Sequence, residues 1–193
     1  MPKLWSETIE SHRVEVREAL MEAAWALALE QGPMSVTMSQ VAQKAGIGRA
    51  TLYKYFPDVA SILHARHERH VAEHLARLVE LRDATPDPAR RLKAVAGAYA
   101  EISFHRAQHG TVELSALAHA PERVAGVEQQ LLELFEELIV NAAQAGVVRV
   151  DAPSGELALY CVHALAAAGR LPSRAAVQRL VAVTLAALEP VHD

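Results

Sequence analysis

The sequence predicts an all-α protein of about nine helices. Runs rich in Ala, Leu, Glu, Arg and Gln, which are strong helix formers, are separated by short breaks at Gly or Pro. No segment shows the strict period-two alternation of a half-buried strand. With 193 residues, of which 51% are hydrophobic, the chain is long enough to bury a sizeable core. We therefore expect helices packed against helices.

The N-terminal part of the chain predicts one long helix followed by two short ones. Gly32 is placed to end the long helix, because glycine readily adopts the left-handed backbone at helix C-termini. Thr37 is placed to cap the first short helix, which Gly46 ends. The second short helix stops before Pro57, since the residue that precedes a proline disfavours the α region. The predicted ranges are about 11–31, 38–45 and 48–56.

Six further helices are predicted in the remainder of the chain. Asp58 and Asp87 are placed to cap two of them, and Pro88 stands at a first helical position, where its missing N–H is not needed. Gly110 is placed to end the helix that Asp87 caps, and Gly146 is placed to end the helix that starts at Pro121. The predicted ranges are about 58–82, 87–110, 112–119, 121–145, 154–168 and 173–188.

The charge is distributed unevenly along the chain. The formal net charge is −4, yet residues 32–57 contain Lys44, Arg49 and Lys54 and no acidic residue. A net acidic protein is not expected to wrap nucleic acid with its whole surface. A short basic segment instead indicates one local contact with a polyanion.

The stretch "TMSQVAQKAGIGRATLYKYF", residues 37–56, predicts a helix-turn-helix. Ala45 and Gly46 permit a sharp turn, and apolar side chains of both short helices can close one small core. At its start and on its outer face, the second helix carries residue types that suit a DNA groove. Arg can make a bidentate hydrogen bond to guanine, and Tyr or Lys can reach phosphates. Spacing alone also fits a structural helical hairpin that binds no DNA. The groove candidates are Arg49, Ala50, Thr51, Tyr53, Lys54 and Tyr55.

Together with the preceding "EAAWALALEQG", this stretch resembles the tetracycline-repressor (TetR) family of bacterial one-component regulators. The motif resemblance covers about residues 13–63, with "AGIGRATLYKYF" as its most specific part, and the rest of the chain matches in the number and order of helices. The resemblance implies a helix-turn-helix DNA-binding domain over residues 1–57 and an effector-binding and dimerisation domain over residues 58–193. It implies a homodimeric repressor that binds a palindromic operator and is released by a small-molecule effector.

The resemblance also implies where the DNA lies. It places the second short helix in the major groove and puts Thr37 and Ser39, at the start of the first short helix, near the phosphates. We expect the salt dependence of binding to be carried mainly by Arg49, Lys54 and Lys44.

Two residues depart from the family pattern. Gly48 stands where many members have serine or another side chain that caps a helix, so the second short helix has a weaker start. Val59 stands where many members have a lysine near the start of the fourth helix. We therefore expect no phosphate contact from that position and a modest affinity per subunit.

The last two predicted helices are expected to form a dimer, because one reading helix with so few cations is too small for useful specificity. Each carries an apolar stripe with many alanines, as in a four-helix bundle built by two subunits. The alternative is that both stripes face the chain's own core. The stripes consist of Leu157, Tyr160, Cys161, Ala164, Leu165 and Ala168, and of Val177, Leu180, Val181, Thr184, Leu185 and Leu188.

A small-molecule pocket in the helical domain follows from the family resemblance, with an effector that respaces the two reading helices. Each candidate residue is also explained as an ordinary core or surface residue, and a regulator that needs no effector stays open as an alternative. The candidates are His67, Tyr99, Ser103, Glu113, Leu117, Phe135 and His163.

Four histidines, His64, His67, His70 and His74, lie along the predicted helix 58–82. Neighbours three or four residues apart could share a metal ion, but a site needs further ligands that converge from elsewhere. The charged residues between them are typical of a solvated helix flank. We expect no metal and no cofactor.

An α-helical enzyme that uses Cys161 with His163 is the alternative from another class. Two residues apart on a helix, these side chains diverge by about 200°, and no Gly-rich phosphate loop, nucleophile elbow or HExxH motif occurs. The single cysteine forbids an internal disulfide, and neither a membrane-spanning apolar run nor a secretion signal is visible. The expectation is a cytoplasmic, non-enzymatic protein without a membrane partner.

Overall fold

The computed structural model describes residues 3–108 and 121–190, with side chains for residues 11–106, 126 and 128–190. All regular structure in these ranges is helical, which confirms the all-α class, while the predicted helix 112–119 lies outside them. None of the described helices is long and apolar enough to cross a membrane. The helices are α1 Lys3–Gln31, α2 Met38–Ala45, α3 Arg49–Tyr55, α4 Val59–Ala84, α5 Pro88–Gln108, α6 Pro121–Gln144, α7 Ser154–Ala166 and α8 Arg174–Ala186, with 3-10 turns at Pro33–Ser35 and Ala167–Arg170.

The predicted ends of α2 are confirmed. Thr37 Oγ1 accepts a hydrogen bond from Gln40 N at 3.3 Å, and Gln40 Oε1 accepts one from Thr37 N at 2.8 Å. These two bonds form a capping box, which satisfies two of the backbone N–H groups that a helix start leaves without partners. Gly46 ends α2 with a φ of 67°, in the left-handed region that residues with a Cβ avoid.

Side-chain oxygens also begin three later helices. Asp58 Oδ1 accepts from Ser61 N at 2.7 Å at the start of α4. Asp87 Oδ1 accepts from Arg90 N at 2.8 Å, directly before the proline that opens α5. Ser173 caps α8 through Ala176 N. The helix starts read from the sequence are therefore set by local hydrogen-bond chemistry.

Four helix boundaries differ from the prediction by two residues or more: the start of α1 and the ends of α4 (Ala84 instead of 82), α7 and α8 (Ala186 instead of 188). α1 begins at Lys3 rather than near residue 11, because no glycine or proline interrupts the chain between Lys3 and Gly32. α7 ends at Ala166, two residues earlier than predicted, since the backbone tightens there into the 3-10 turn Ala167–Arg170. Such tightening is common in the last turn of a helix.

The described residues form two units that divide between His70 and Val71. The first unit has a core contributed by α1, α2, α3 and the beginning of α4, with Leu20, Val41 and Ile62 fully buried. Side chains of α1 from Leu20 to Ala28 line it at helical spacing. This core supports the short helices α2 and α3.

The second unit has its own core, formed by the later part of α4 with α5, α6, α7 and α8. Phe135 lies at its centre without exposed surface, and Tyr99 meets it edge to face with ring centroids 5.7 Å apart. Two polar residues, Ser103 and Thr184, are buried as well. Burial of these apolar faces is the main source of the unit's stability.

Candidate nucleic-acid interface

α3 is anchored by a single face. Leu52 is its one buried residue, and Phe56 follows four residues later at the C-cap, with 3% of its surface exposed. The guanidinium of Arg17, from α1, lies 4.8 Å from the centre of the Phe56 ring in a cation–π contact. The sequence does not predict this role for Arg17, because the contact depends on how α1 crosses the end of α3.

The opposite face of α3 is exposed. Arg49, Ala50, Tyr53 and Lys54 are all solvent-exposed, although they occupy more than half of this short helix. At about 100° per residue, the four positions cover an arc of about 140° that lies away from Leu52. This face combines two cations, one phenol and one small residue, which are the side-chain types that a DNA groove accepts.

The other two groove candidates lie at the edges of that face. Thr51 is half-buried, and Tyr55 is half-buried with its ring against the core of the first unit. Tyr55 therefore has a packing role in addition to any contact that its hydroxyl makes. Four of the six candidates on α3 form the open face and two border it.

The start of α2 offers backbone rather than side-chain donors. The Thr37 hydroxyl donates to Gln40 Oε1 at 2.8 Å, so its hydrogen is used within the capping box. Gln40 Nε2 in turn donates to Gln31 Oε1 at 3.4 Å and ties the box to the end of α1. Ser39 is exposed, and the amides of Met38 and Ser39 lie in the first turn, at the positive end of the helix dipole.

The two departures from the family pattern have clear local consequences. Gly48 is the N-cap of α3 and makes no side-chain capping bond, while its carbonyl accepts from Thr51 N at 2.9 Å and Leu52 N at 3.0 Å. Val59 is half-buried and packs against the first core. The position that many family members give to a lysine is a packing position here.

The start of α4 is fastened to α1 by charged side chains. Arg66 Nε lies 2.7 Å from Glu22 Oε1, without hydrogen-bond alignment, and its guanidinium stacks 5.7 Å from the Trp25 ring centre. Arg69 forms an ion pair with Glu18 one turn further along. Arg66 is 16% exposed and Glu22 is 60% exposed, so the pair lies at the protein surface and links α4 to α1.

Three effector-pocket candidates come together in the second unit. Tyr99 contacts Phe135, and burial raises the pKa of the Tyr99 phenol, opposed in part by the cation of Arg106 and the hydroxyl of Ser103. A phenol kept neutral beside a buried hydroxyl can donate or accept a hydrogen bond among apolar walls.

The other four pocket candidates do not join this cluster. His163 is exposed on α7, and His67 is a half-buried residue of the first unit. Glu113 and Leu117 lie outside the described residues.

The predicted dimer stripes lie mostly in the chain's own core. Their buried members do not present side chains to a second copy, so the alternative that the stripes face the core describes them. Three members are half-buried, Ala164, Leu180 and Leu185, and Tyr160 is exposed. The buried members are Leu157, Cys161, Leu165, Ala168, Val177, Val181, Thr184 and Leu188.

Cys161 and His163 are not arranged as a catalytic pair. Cys161 is 1% exposed, and burial raises the pKa of its thiol to about 12, so the thiolate nucleophile is not formed near neutral pH. His163 is exposed on another side of the helix. The four histidines of α4 are half-buried, and within residues 3–108 and 121–190 no group of three or more His, Cys, Asp or Glu is placed to hold a metal ion.

Comparison with known proteins also identifies the helix-turn-helix segment. Residues 20–65 match the family of bacterial regulatory proteins, tetR family. The chain is 24% identical over 143 residues, 74% of each chain, to an uncharacterized HTH-type transcriptional regulator of Mycobacterium tuberculosis (strain ATCC 25618 / H37Rv).

Two solved structures share the fold. A transcriptional regulator of the TetR/AcrR family from Thermobifida fusca YX-ER1 superimposes with a TM-score of 0.75 at 17% identity, over 88% of this chain and 96% of that chain. RolR in complex with resorcinol superimposes with a TM-score of 0.57 at 18% identity, over 93% and 90% of the two chains. The matched segment 20–65 contains the whole of α2 and α3 and the exposed face of α3. The chain therefore carries a helix-turn-helix segment that matches the tetR family of bacterial regulatory proteins, and it shares the fold of solved TetR-family regulators.

Proposed function

We propose that this protein is a TetR-family transcriptional regulator, a homodimeric repressor that binds a palindromic operator through α3 and leaves it when a small molecule binds the second unit. The exposed face of α3 is the observation that carries this proposal. Arg49 and Lys54 on that face have no ion-pair partner among the described residues, so both charges are available to DNA. Because its target is the bacterial chromosome, the protein is proposed to act in the cytoplasm.

The side chains of α3 suit distinct roles in the major groove. Arg49, the first residue of the helix, can donate two parallel N–H hydrogen bonds to one guanine. Ala50 allows close approach, while Tyr53 and Lys54 are long enough to reach phosphates. The amides at the start of α2 supply a further phosphate contact in this arrangement.

Selection of DNA by the purified protein tests the proposal. From a pool of random duplexes, the protein is expected to enrich sequences with two inverted half-sites whose centres lie about one helical turn, or a multiple of it, apart. Sequencing the bound fraction measures this directly. Failure to enrich any sequence at low salt would contradict operator binding, and enrichment of single half-sites would contradict the palindrome.

Exposed apolar side chains of α7 and α8 are the proposed dimer contact. Leu159, Tyr160 and Val183 are 45%, 42% and 66% exposed in the single chain, and the exposed residues beside Val183 on the same face include Ala182 and Ala186. Apolar side chains grouped on one surface are typical of a protein–protein contact. Small residues permit close approach of helices in a two-fold bundle.

Replacing Val183 with glutamate is expected to weaken the dimer at least about tenfold, because a two-fold axis buries two unpaired carboxylates in the contact. Sedimentation velocity over a concentration series measures the dissociation constant. Val150→Glu is the matched control, since Val150 is 82% exposed in a loop of the second unit. Equal dimerisation of Val183→Glu, Val150→Glu and the unmodified protein would place the contact elsewhere.

The cluster of Tyr99, Ser103 and Phe135 supports an effector site in the second unit. It joins a phenol, a buried hydroxyl and an aromatic ring, which is the composition of a pocket that orients a small, largely apolar molecule. RolR, which shares the fold, was solved with resorcinol, a small aromatic ligand. We therefore propose that the effector is held through hydrogen bonds to Tyr99 and Ser103 against the Phe135 ring.

A further inference from the structure

Lys44 and Glu30 form an ion pair at the edge of the helix-turn-helix. Lys44 Nζ lies 2.7 Å from Glu30 Oε1, and the bond joins the last turn of α2 to the last turn of α1. Both side chains are accessible, at 37% and 60% exposure respectively. From this contact we infer that the ion pair with Glu30 keeps the Lys44 ammonium from contacting DNA phosphates. Glu30 thereby limits the number of phosphate contacts that each subunit makes.

The position of the pair explains why it is stable without DNA. Glu30 lies at the negative end of the α1 dipole, where a carboxylate is unfavourable unless a cation compensates it. Lys44 lies in the last turn of α2, where a cation is favourable, and its flexible stem lets the ammonium reach across to Glu30. One ammonium therefore compensates the C-terminal ends of two helices.

Lys44 differs in this respect from the two cations on α3. Arg49 and Lys54 have no carboxylate partner among the described residues, whereas the charge of Lys44 is already neutralised within the protein. A cation that neutralises a phosphate releases a counterion and adds about 0.9 to the slope of log K against log salt. A cation that stays paired with Glu30 adds little.

This inference rests on the proposed operator binding and refines it. The sequence analysis expects three cations to carry the salt dependence, whereas the ion pair leaves Arg49 and Lys54 as the main carriers. Glu30 is then a positioning residue that acts on DNA through Lys44. Its removal should turn Lys44 into an additional phosphate contact.

A double-mutant cycle with Glu30→Gln and Lys44→Gln tests the inference. The probe is the duplex that the unmodified protein selects from a random pool, and its affinity is measured by fluorescence anisotropy between 50 and 200 mM salt, with about 0.9 expected per added phosphate contact. Glu30→Gln is expected to tighten binding two- to fivefold, on the order of an exposed ion pair, and to steepen the salt slope by about 0.9 per subunit. Lys44→Gln alone should leave the slope nearly unchanged, and the gain from Glu30→Gln should vanish in the double variant.

Glu15→Gln is the matched control, because it removes an equal charge from an exposed position on α1 that lies roughly 22 Å along the helix from Glu30. Equal gains from Glu15→Gln and Glu30→Gln would overturn the inference, since general charge repulsion would explain both. A gain that persists in the double variant, or an unchanged slope in Glu30→Gln, would overturn it as well. Melting curves of all variants show whether a fold defect contributes, and the charge-reversed pair Glu30→Lys with Lys44→Glu should bind more weakly than the unmodified protein.

The failure of the inference and that of the proposed function are distinguishable. If the unmodified protein selects no duplex, the proposed operator binding is contradicted. If it selects a duplex but the effects of Glu30→Gln and Lys44→Gln are additive, only the proposed role of Glu30 is contradicted.

Discussion

Replacing Arg49 with alanine is expected to weaken operator binding by about 1–3 kcal/mol, roughly five- to 150-fold, for each half-site whose guanine the side chain forks. Arg49 is exposed at the start of α3 and has no carboxylate partner among the described residues, so its guanidinium serves neither the core nor an internal ion pair. The loss should appear as relaxed preference at one base position, because a bidentate contact discriminates between bases.

Gel-shift or anisotropy measurements at matched salt check this result. Tyr53→Ala should weaken binding more uniformly across sequences, since a phenol at a phosphate contributes no base discrimination. Arg90→Ala provides the control, because Arg90 is an exposed cation of α5. If Arg49→Ala and Tyr53→Ala both shift the selected duplex like the unmodified protein, α3 is not the reading helix.

The second large effect is expected at Leu52. Leu52→Ala should lower the free energy of unfolding by about 2–5 kcal/mol, because it removes a fully buried side chain and leaves a cavity. The consequence for DNA binding is larger than the loss of stability suggests. Leu52 is the only buried residue of α3, and without it the helix is held by Phe56 and the half-buried Tyr55 alone.

Urea unfolding followed by circular dichroism measures the loss of stability, and anisotropy measures operator binding under conditions where the variant stays folded. Leu29→Ala is the matched control, since Leu29 lies on α1 with half of its side chain exposed. Surface substitutions of this kind change stability by about 0.5 kcal/mol or less. Equal stability of both variants would show that α3 is not held through Leu52.

Local chemistry allowed much of the helix-turn-helix to be predicted from the sequence. The cap at Thr37 and the left-handed Gly46 follow from side-chain oxygens and from glycine's freedom, which depend on neighbours only a few residues away. The exposed face of α3 follows from the spacing of Leu52 and Phe56, which identifies the buried side of a short helix.

Contacts between distant segments could not be predicted in this way. Lys44 pairs with a residue fourteen positions earlier, and Arg17 stacks on Phe56, because α1 crosses α2 and α3 at angles that periodicity does not encode. The predicted dimer stripes depend on such contacts as well, and most of their members are buried in the single chain. α7 and α8 carry apolar residues on two sides, and hydrophobic spacing selects the stronger side, which is the core.

α3 separates the positions that pack against the core from most of the positions that face outward. The residues that hold the helix are Leu52, Phe56 and the half-buried Tyr55, whereas Arg49, Ala50, Tyr53 and Lys54 face outward. In the proposed function, substitutions at Arg49 or Ala50 are expected to alter the DNA preference at little cost in folding, since surface changes usually leave stability within about 0.5 kcal/mol. Under the proposed function, these exposed positions are therefore the targets for engineering variants that recognise different operators.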